Sequence, residues 1–142
     1  MIVLDTNVIS ALMRQAPEAV VVEWLDRQPR SSVWTTAVTV MEVRFGLAIL
    51  AEGKRKKLLV EGFERMLDAM GHRVAGFDGE AATHAAALMA ARQRRGRPGG
   101  LRDTMIAAIV LARHATLATR NTAHFEELGN AVVNPWNRAP EV

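Results

Sequence analysis

Short segments rich in apolar or β-branched residues alternate along this chain with longer segments of helical periodicity, and this alternation limits the possible folds more than any other feature. We predict strands at residues 2–4, 32–35, 73–77, 116–119 and 131–133. Apolar residues recur at helical spacing in residues 7–14, 17–28, 36–51, 54–70, 80–95 and 101–114. Strands that alternate with helices favour a parallel sheet covered on both faces. We therefore predict an α/β three-layer sandwich with a mostly parallel central sheet of four to five strands.

The composition indicates a single domain covering residues 1–142. Hydrophobic residues make up 49% of the chain and charged residues 23%, which is typical of a chain that builds a core. No apolar run approaches the roughly 18–20 residues that cross a bilayer, and the first residues lack the basic segment of a secretory signal. The chain has no cysteine, which excludes disulfides, thiolate zinc sites and cysteine nucleophiles. We expect a cytoplasmic protein that does not associate with a membrane.

Two aspartates occupy positions where a strand ends or a helix begins. Asp5 follows the first predicted strand, and Asp103 lies in the first turn of the helix after a Gly-Gly pair. Each also has a purely structural explanation. Asp5 can cap the next helix, while Asp103 is favoured by the helix dipole and has Arg102 beside it as an ion-pair partner. Taken singly, neither aspartate distinguishes a structural role from a catalytic one.

A third carboxylate, Glu42, lies in one of the least polar segments of the chain. If the surrounding helix begins at Thr39, Glu42 completes a capping box with that threonine. Thr36 is an equally good start for the helix. Glu42 then lies just past the first turn, where a buried carboxylate needs a partner. The sequence leaves both starts open.

Together, the three carboxylates predict a metal centre. In a parallel sheet, a strand-end aspartate and carboxylates near the starts of two helices can meet in one crevice beyond the carboxyl ends of the strands. Carboxylates that share a crevice repel one another and need protons or a cation. Oxygen ligands suit Mg²⁺ or Mn²⁺. Such a cation activates a bound water and stabilises charge on a phosphate, which is the chemistry of phosphodiester hydrolysis.

Basic residues are clustered rather than spread evenly. The formal net charge is +3, and segments 54–57 and 92–97 contain eight of the 18 lysines and arginines. Clustered positive charge favours a polyanionic partner, because neutralising phosphates releases counterions. Each cluster alone is equally typical of a solvated helix start or loop. The candidate nucleic-acid-binding residues are Lys54, Arg55, Arg94, Arg95 and Arg97.

Four motifs, in order, resemble those of PIN-domain nucleases. They are residues 1–10, 36–46, 102–108 and 119–125, and they span nearly the whole chain. The fourth motif and the following segment, residues 134–136, resemble the FitB branch of VapC-type toxins. Asp-Thr-Asn at the end of the first strand is weakly specific by itself, whereas four motifs in this order are specific. The resemblance implies a PIN-like fold for the chain.

The same resemblance implies a function: an endoribonuclease toxin of a type II toxin–antitoxin system, which requires Mg²⁺ or Mn²⁺ and hydrolyses RNA with a metal-activated water. By that likeness Asp5 and Asp103 ligate the metal, and Glu42 ligates or orients it, directly or through water. The implied partners are a cognate antitoxin, which places a basic side chain in the acidic pocket, and a second copy of the chain. A larger toxin–antitoxin assembly is also compatible. The implied supporting residues are Thr6, Asn7, Thr119 and Asn121.

The fourth motif departs from the family pattern. Relatives often carry an aspartate at the position of Asn121 or of His124, and here neither position is acidic. Asn121 can still supply a carbonyl oxygen or hold a water, whereas a protonated His124 would oppose a cation. We interpret His124 as an exposed loop residue. Two alternatives therefore remain: a degenerate PIN domain that binds nucleic acid or a protein without cleaving, and a DNA-directed nuclease.

Overall fold

Five strands form one sheet in the order β3-β2-β1-β4-β5. The computed structural model describes residues 1–137, and every strand pairing in it is parallel. The predicted α/β class is therefore confirmed, with a sheet that is wholly rather than mostly parallel. The strands are β1 (Ile2–Leu4), β2 (Val33–Thr36), β3 (Val74–Ala75), β4 (Thr116–Ala118) and β5 (Val132–Val133).

In the described part of the chain, six α-helices connect or flank these strands, close to the predicted positions. They are α1 (Thr6–Leu12), α2 (Ala19–Asp26), α3 (Ala37–Ala48), α4 (Lys54–Ala69), α5 (Gly79–Arg94) and α6 (Leu101–Ala112). Two 3₁₀ helices, Arg30–Ser32 and Thr122–Leu128, were not predicted. Among residues 1–137, no helix is both long and apolar enough to span a bilayer. The predicted single domain of residues 1–142 stays a prediction, since residues 138–142 lie outside the described part.

The two faces of the sheet are covered by different helices, which makes the molecule a three-layer sandwich. Successive residues of a strand point to opposite faces. Val3 of β1 packs in a core with α5, α6 and the second 3₁₀ helix. Leu4, the next residue, packs in a core with α1, α2 and α4. Because all the strands are parallel, their carboxyl ends lie along one edge of the sheet.

The start of α3 decides where Glu42 lies. Thr36 is the N-cap, and its hydroxyl oxygen accepts a hydrogen bond from the backbone N–H of Thr39 at 3.0 Å. The alternative start at Thr39, with a capping box to Glu42, is therefore wrong. Glu42 lies in the second turn of α3, close to the carboxyl end of β2 and beside the central strand β1.

Candidate metal centre and active site

Asp5 lies at the carboxyl end of β1, between β2 and β4, and is only 4% exposed. Its Oδ1 accepts a hydrogen bond from the Thr6 backbone N–H at 2.8 Å, so Asp5 caps α1. Its Oδ2 accepts hydrogen bonds from the Thr119 hydroxyl at 2.8 Å and from Asn7 Nδ2 at 3.3 Å. The structural role and the predicted site role therefore coexist in this one carboxylate.

Thr119 joins Asp5 to the fourth motif. It is fully buried at the end of β4. Its hydroxyl oxygen accepts hydrogen bonds from Asn7 Nδ2 at 3.2 Å and from the Asn121 backbone N–H at 3.1 Å. Asn7 Oδ1 in turn accepts from the Arg120 backbone N–H at 3.0 Å. Asn121 thus enters the network through its backbone, while the role predicted for its side chain stays a prediction.

Glu42 faces the same crevice from α3. Its Oε1 accepts a hydrogen bond from the Thr6 hydroxyl at 3.3 Å. Its Oε2 lies 3.6 Å from Nη1 of Arg102, the residue that precedes Asp103 on α6. The ion pair of Arg102 is therefore with Glu42 and not with Asp103, contrary to the structural alternative considered from the sequence.

Asp103 completes the crevice from the first turn of α6, where Gly100 is the N-cap. Its Oδ2 lies 3.3 Å from Nδ1 of His124. The side chain of His124 is largely exposed, as expected, but the residue lies in the 3₁₀ helix Thr122–Leu128 rather than in a loop, and the expectation missed its contact with Asp103. Both carboxylates carried by helices thus face a side chain that is, or can become, positively charged.

The pKa shifts of Asp5 and Glu42 reflect burial and the negative charge of neighbouring carboxylates. The pKa of Asp5 is raised, chiefly because the carboxyl group is buried and additionally by the negative charge of Asp103; its hydrogen bonds oppose the rise. The pKa of Glu42 is also raised, again chiefly by burial, with contributions from the charges of Asp5 and Asp103. Thr6 and Arg102 partly offset that rise. A cation placed among these groups would relieve both the burial penalty and the repulsion.

The donor set of the crevice fits a hard divalent cation. The convergent groups carry carboxylate and hydroxyl oxygens, the ligands that Mg²⁺ and Mn²⁺ prefer. Within residues 1–137, no three side chains of His, Cys, Asp or Glu are spaced as a ready-made metal site. A cation in this crevice would therefore take part of its coordination shell from water, as Mg²⁺ usually does in proteins.

A buried ion pair that sequence reasoning missed supports the side of the crevice formed by α6. Arg92 Nε lies 2.7 Å from Glu127 Oε1, and Arg92 Nη2 lies 3.2 Å from Glu127 Oε2. Arg92 Nη1 donates to the Thr104 hydroxyl at 2.5 Å, and Nη2 donates to the His124 carbonyl at 3.5 Å. Arg92 thereby connects α5, α6 and the 3₁₀ helix that carries His124.

The burial of Arg92 could have been predicted from the sequence. Ala81, Ala85 and Leu88 are buried at helical spacing along α5, and Arg92 continues the same line one turn later. A charged residue in line with a buried apolar face requires a buried partner. The sequence does not identify that partner, because Glu127 belongs to a 3₁₀ helix that was not predicted.

The two basic clusters border different cavities. Arg95 and Arg97 line an open cavity of about 670 Å³, together with Asp103 and His124. Lys54 and Arg55 line a separate cavity of about 720 Å³ formed with α1, whose other lining residues include Met13 and Leu58 and none of the three carboxylates. Arg94 is exposed on α5 and lines neither cavity. Of the five predicted cationic residues, the structure therefore brings Arg95 and Arg97 beside the acidic crevice.

The fold and this site define a class of protein. A family model described as the PIN domain matches residues 2–130, and the chain therefore belongs to the PIN-domain family. It is 41% identical to the VapC ribonuclease Y4jK of Sinorhizobium fredii over 140 residues, 98% of this chain and 100% of that protein. It is 38% identical to the toxin FitB of Neisseria gonorrhoeae over 138 residues, 96% of this chain and 99% of that protein.

A solved structure agrees with these relatives. The crystal structure of FitAcB from Neisseria gonorrhoeae contains a chain that resembles this one with a TM-score of 0.86 and 38% sequence identity. The match covers 97% of this chain and 100% of that chain. The predicted resemblance to the VapC and FitB toxins is thus confirmed by both sequence and fold.

Proposed function

We propose that this protein is a metal-dependent endoribonuclease that acts as the toxin of a type II toxin–antitoxin pair. The observation that carries the proposal is the convergence of Asp5, Glu42 and Asp103 beyond the carboxyl ends of the strands, where the negative charge of Asp103 contributes to the raised pKa of both Asp5 and Glu42. The relative from Sinorhizobium fredii is a ribonuclease by name, and the relative from Neisseria gonorrhoeae is a toxin by name. Such relatives support an RNA phosphodiester as the substrate.

The residues of the crevice have distinct roles in this proposal. Asp5 and Asp103 would hold Mg²⁺ or Mn²⁺, and Glu42 would orient it directly or through water. When bound, the cation activates water for attack on phosphorus and stabilises the charge that develops on the phosphate. Thr119 and Asn7 fix the orientation of the Asp5 carboxylate by hydrogen bonds. Thr6 does the same for Glu42 through its hydroxyl group.

Basic residues on the rim would guide the RNA. Arg95 and Arg97 line the cavity that Asp103 borders, so a strand bound there would have its phosphates near both arginines. Lys54 and Arg55 border the other cavity and would act at most as a more remote electrostatic patch. Exchanging Arg95 and Arg97 together for glutamine should therefore weaken RNA binding and lower its salt dependence. The matched double exchange of Lys54 and Arg55 should change both much less.

The proposed partners follow from the relatives. FitB, a toxin by name, was solved within the FitAcB complex, and we propose that a cognate antitoxin likewise binds this chain and inhibits it. We also propose a homodimer, which an antitoxin would join into a larger assembly. We propose a cytoplasmic location, where an RNA substrate would be available. Light scattering of the purified chain, alone and with the co-expressed antitoxin, tests both assemblies.

The proposed activity is tested by incubating the metal-free protein with single-stranded RNAs, structured RNAs and DNAs of matched sequence. Each substrate is tested with Mg²⁺, with Mn²⁺ and with EDTA. We expect RNA cleavage that requires a divalent cation and is lost in Asp5→Asn. The control is Asp26→Asn, which neutralises an exposed aspartate on α2 and should cleave like the wild type.

The other outcomes discriminate between the alternatives. Cleavage of DNA but not RNA would support a DNA-directed nuclease. Intact RNA and DNA under every metal, from a folded wild type, would support a degenerate domain that only binds. The contact of His124 with Asp103, at a position where relatives often have an aspartate, is the feature that favours this last alternative. Full cleavage by Asp5→Asn would contradict the proposed centre.

A further inference from the structure

We propose that Arg102 is a substrate-binding residue of the active site, whose guanidinium group competes with a divalent cation for Glu42 and binds a phosphate oxygen of the RNA. The inference rests on the proposed nuclease function and adds to it a positively charged group inside the carboxylate crevice. Arg102 directly precedes Asp103 on α6, and its Nη1 lies 3.6 Å from Glu42 Oε2. It therefore reaches one of the three carboxylates from the helix that carries another.

The contact between Arg102 and Glu42 has the features of an exchangeable pair. Its 3.6 Å separation is longer than a hydrogen bond, and the Arg102 side chain is 57% exposed. Glu42 has a second partner in the Thr6 hydroxyl at 3.3 Å. A long ion pair whose basic partner is exposed contributes little to the stability of a fold. Little stability is therefore lost when Arg102 turns from Glu42 to another anion.

Arg92 provides the contrast within the same region. Its side chain is 8% exposed, and two of its nitrogens contact both carboxylate oxygens of Glu127, at 2.7 and 3.2 Å. A further nitrogen donates to Thr104. All the nitrogens of Arg92 are committed to holding three elements together. Within residues 1–137, the guanidinium group of Arg102 makes one polar contact, the 3.6 Å approach to Glu42, which leaves its donors available to a ligand.

The chemistry of the group identifies the ligand. A guanidinium is always charged and presents parallel N–H donors that match two oxygens of a phosphate. A phosphodiester that reaches a cation beside Asp103 comes within the span of the neighbouring arginine side chain. A divalent cation near Glu42 also repels Arg102 from that carboxylate, since like charges at a few ångströms oppose each other. Cation binding and phosphate binding by Arg102 are thus linked through Glu42.

The linkage predicts opposite effects of a single exchange. In Arg102→Gln, the competing charge is gone, and we expect Mn²⁺ to bind about threefold to tenfold more tightly. The charged hydrogen bond to the phosphate is also gone, and we expect kcat/KM for RNA cleavage to fall roughly tenfold to a hundredfold. Arg102→Lys retains the charge without the paired donors and should recover part of the activity.

The matched control is Arg44→Gln. Arg44 lies on α3, is 50% exposed and pairs with Glu64 on α4 at 2.8 Å rather than with a residue of the crevice. Mn²⁺ affinity is measured by calorimetric titration of the metal-free proteins, and kcat and KM are measured on one RNA at several salt concentrations. We expect the slope of log kcat/KM against log salt to become shallower by roughly one in Arg102→Gln. Arg44→Gln should leave the Mn²⁺ affinity and the slope unchanged.

Each other outcome overturns the inference in a recognisable way. Unchanged cleavage by Arg102→Gln removes the substrate-binding role. Weaker Mn²⁺ binding together with weaker cleavage and a lower Tm assigns Arg102 a structural role instead. Reduced cleavage with unchanged Mn²⁺ affinity removes the competition for Glu42. A wild type that binds Mn²⁺ but cuts no RNA overturns the proposed function and the inference with it. If the wild type cleaves RNA, any of the preceding outcomes overturns only the inference about Arg102.

Discussion

The carboxylate crevice has two walls that are held in different ways. The sheet wall consists of Asp5 and the neutral residues that contact it, Thr6, Asn7 and Thr119. It lies at the carboxyl ends of β1 and β4, is largely buried and is fixed by hydrogen bonds of 2.8 to 3.3 Å. No ion pair holds Asp5 within residues 1–137. This wall consequently has one arrangement, set by the sheet.

The helix wall consists of Glu42 and Asp103 with their neighbours, Arg102 and His124. Its carboxylates are carried by α3 and α6, and its neighbours are mostly exposed, at 3.6 and 3.3 Å. Exposed ion pairs of this kind are weak and sensitive to salt. The fold thus orients the Asp5 carboxylate by hydrogen bonds to neutral groups, whereas the other two proposed ligands, Glu42 and Asp103, contact side chains that we expect a cation or a phosphate to displace.

The largest effect should follow from removing the support behind the helix wall. Arg92→Met leaves the Glu127 carboxylate without its partner, and breaking a buried pair in this way costs about 3–5 kcal/mol. We expect that loss in the free energy of unfolding, measured by urea denaturation. Arg94→Gln, on the exposed side of the same helix, should lose almost nothing.

A double exchange sharpens this test. Replacing Arg92 and Glu127 together by methionine removes both charges, so the cost should be smaller than for Arg92→Met alone. A double variant that is less stable than the single variant would show that the pair contributes more than the relief of an isolated buried charge.

A smaller effect should follow from breaking the sheet wall. Thr119→Val keeps the shape of the side chain but removes the hydroxyl that donates to Asp5 and accepts from Asn7 and Asn121. We expect a loss of about 1–3 kcal/mol in unfolding free energy and a loss of activity of about tenfold to a hundredfold, as for other groups that orient a metal ligand. Thr116→Val, near the amino end of β4, is the control. Wild-type activity of Thr119→Val would mean that Asp5 needs no orienting hydroxyl.

The smallest effect concerns the pH dependence of the unfolding free energy in metal-free buffer. The contributions of Glu127 and Asp5 should change with pH in opposite directions. Arg92 lowers the pKa of Glu127 by hydrogen bonding, so the stability from this group is present above the ordinary glutamate range and is lost as the pH falls through the folded pKa. Burial raises the pKa of Asp5, so its ionisation opposes folding as the pH rises.

The measurement compares each neutral variant with the wild type by urea denaturation at several pH values. The unfolding free energy of the wild type relative to Glu127→Gln should grow as the pH rises from about 3 to about 7. The same difference relative to Asp5→Asn should decline over that range. If both free-energy differences changed in the same direction with pH, the proposed contrast between the ion-paired Glu127 and the buried Asp5 would be wrong.

Local rules were sufficient for the position of Asp5 but not for the rest of the sheet wall. Asp5 ends a short apolar strand, and the rule that ligands bind beyond the carboxyl ends of parallel strands predicted its place. Thr119 was suggested by the resemblance to PIN-domain motifs, and the register of Leu4 with Ala118 brings it beside Asp5. The strands themselves were found within one or two residues, except that β3 is shorter than predicted. β3 lies at the edge of the sheet and pairs with β2 over two residues.

The contacts of the helix wall could not be predicted from local sequence patterns. Arg102 and Asp103 are adjacent in sequence, but adjacent residues on a helix do not face each other, so Arg102 reaches Glu42 across the crevice instead. The contact of His124 depends on a 3₁₀ helix with a non-helical Phe125 inside it. Such short irregular elements carry little periodic signal. The Arg92 pair depends on the same element and was missed for the same reason.

Direct measurement of cation binding tests the central claim, that three carboxylates from one strand and two helices form a single divalent-metal centre. Mn²⁺ is titrated by calorimetry into metal-free wild type, Asp5→Asn, Glu42→Gln and Asp103→Asn, all confirmed as folded by their Tm. We predict saturable binding to the wild type, its loss in Asp5→Asn and Asp103→Asn, and weaker binding in Glu42→Gln. Wild-type affinity in all three variants would contradict the claim and move any cation site elsewhere on the protein.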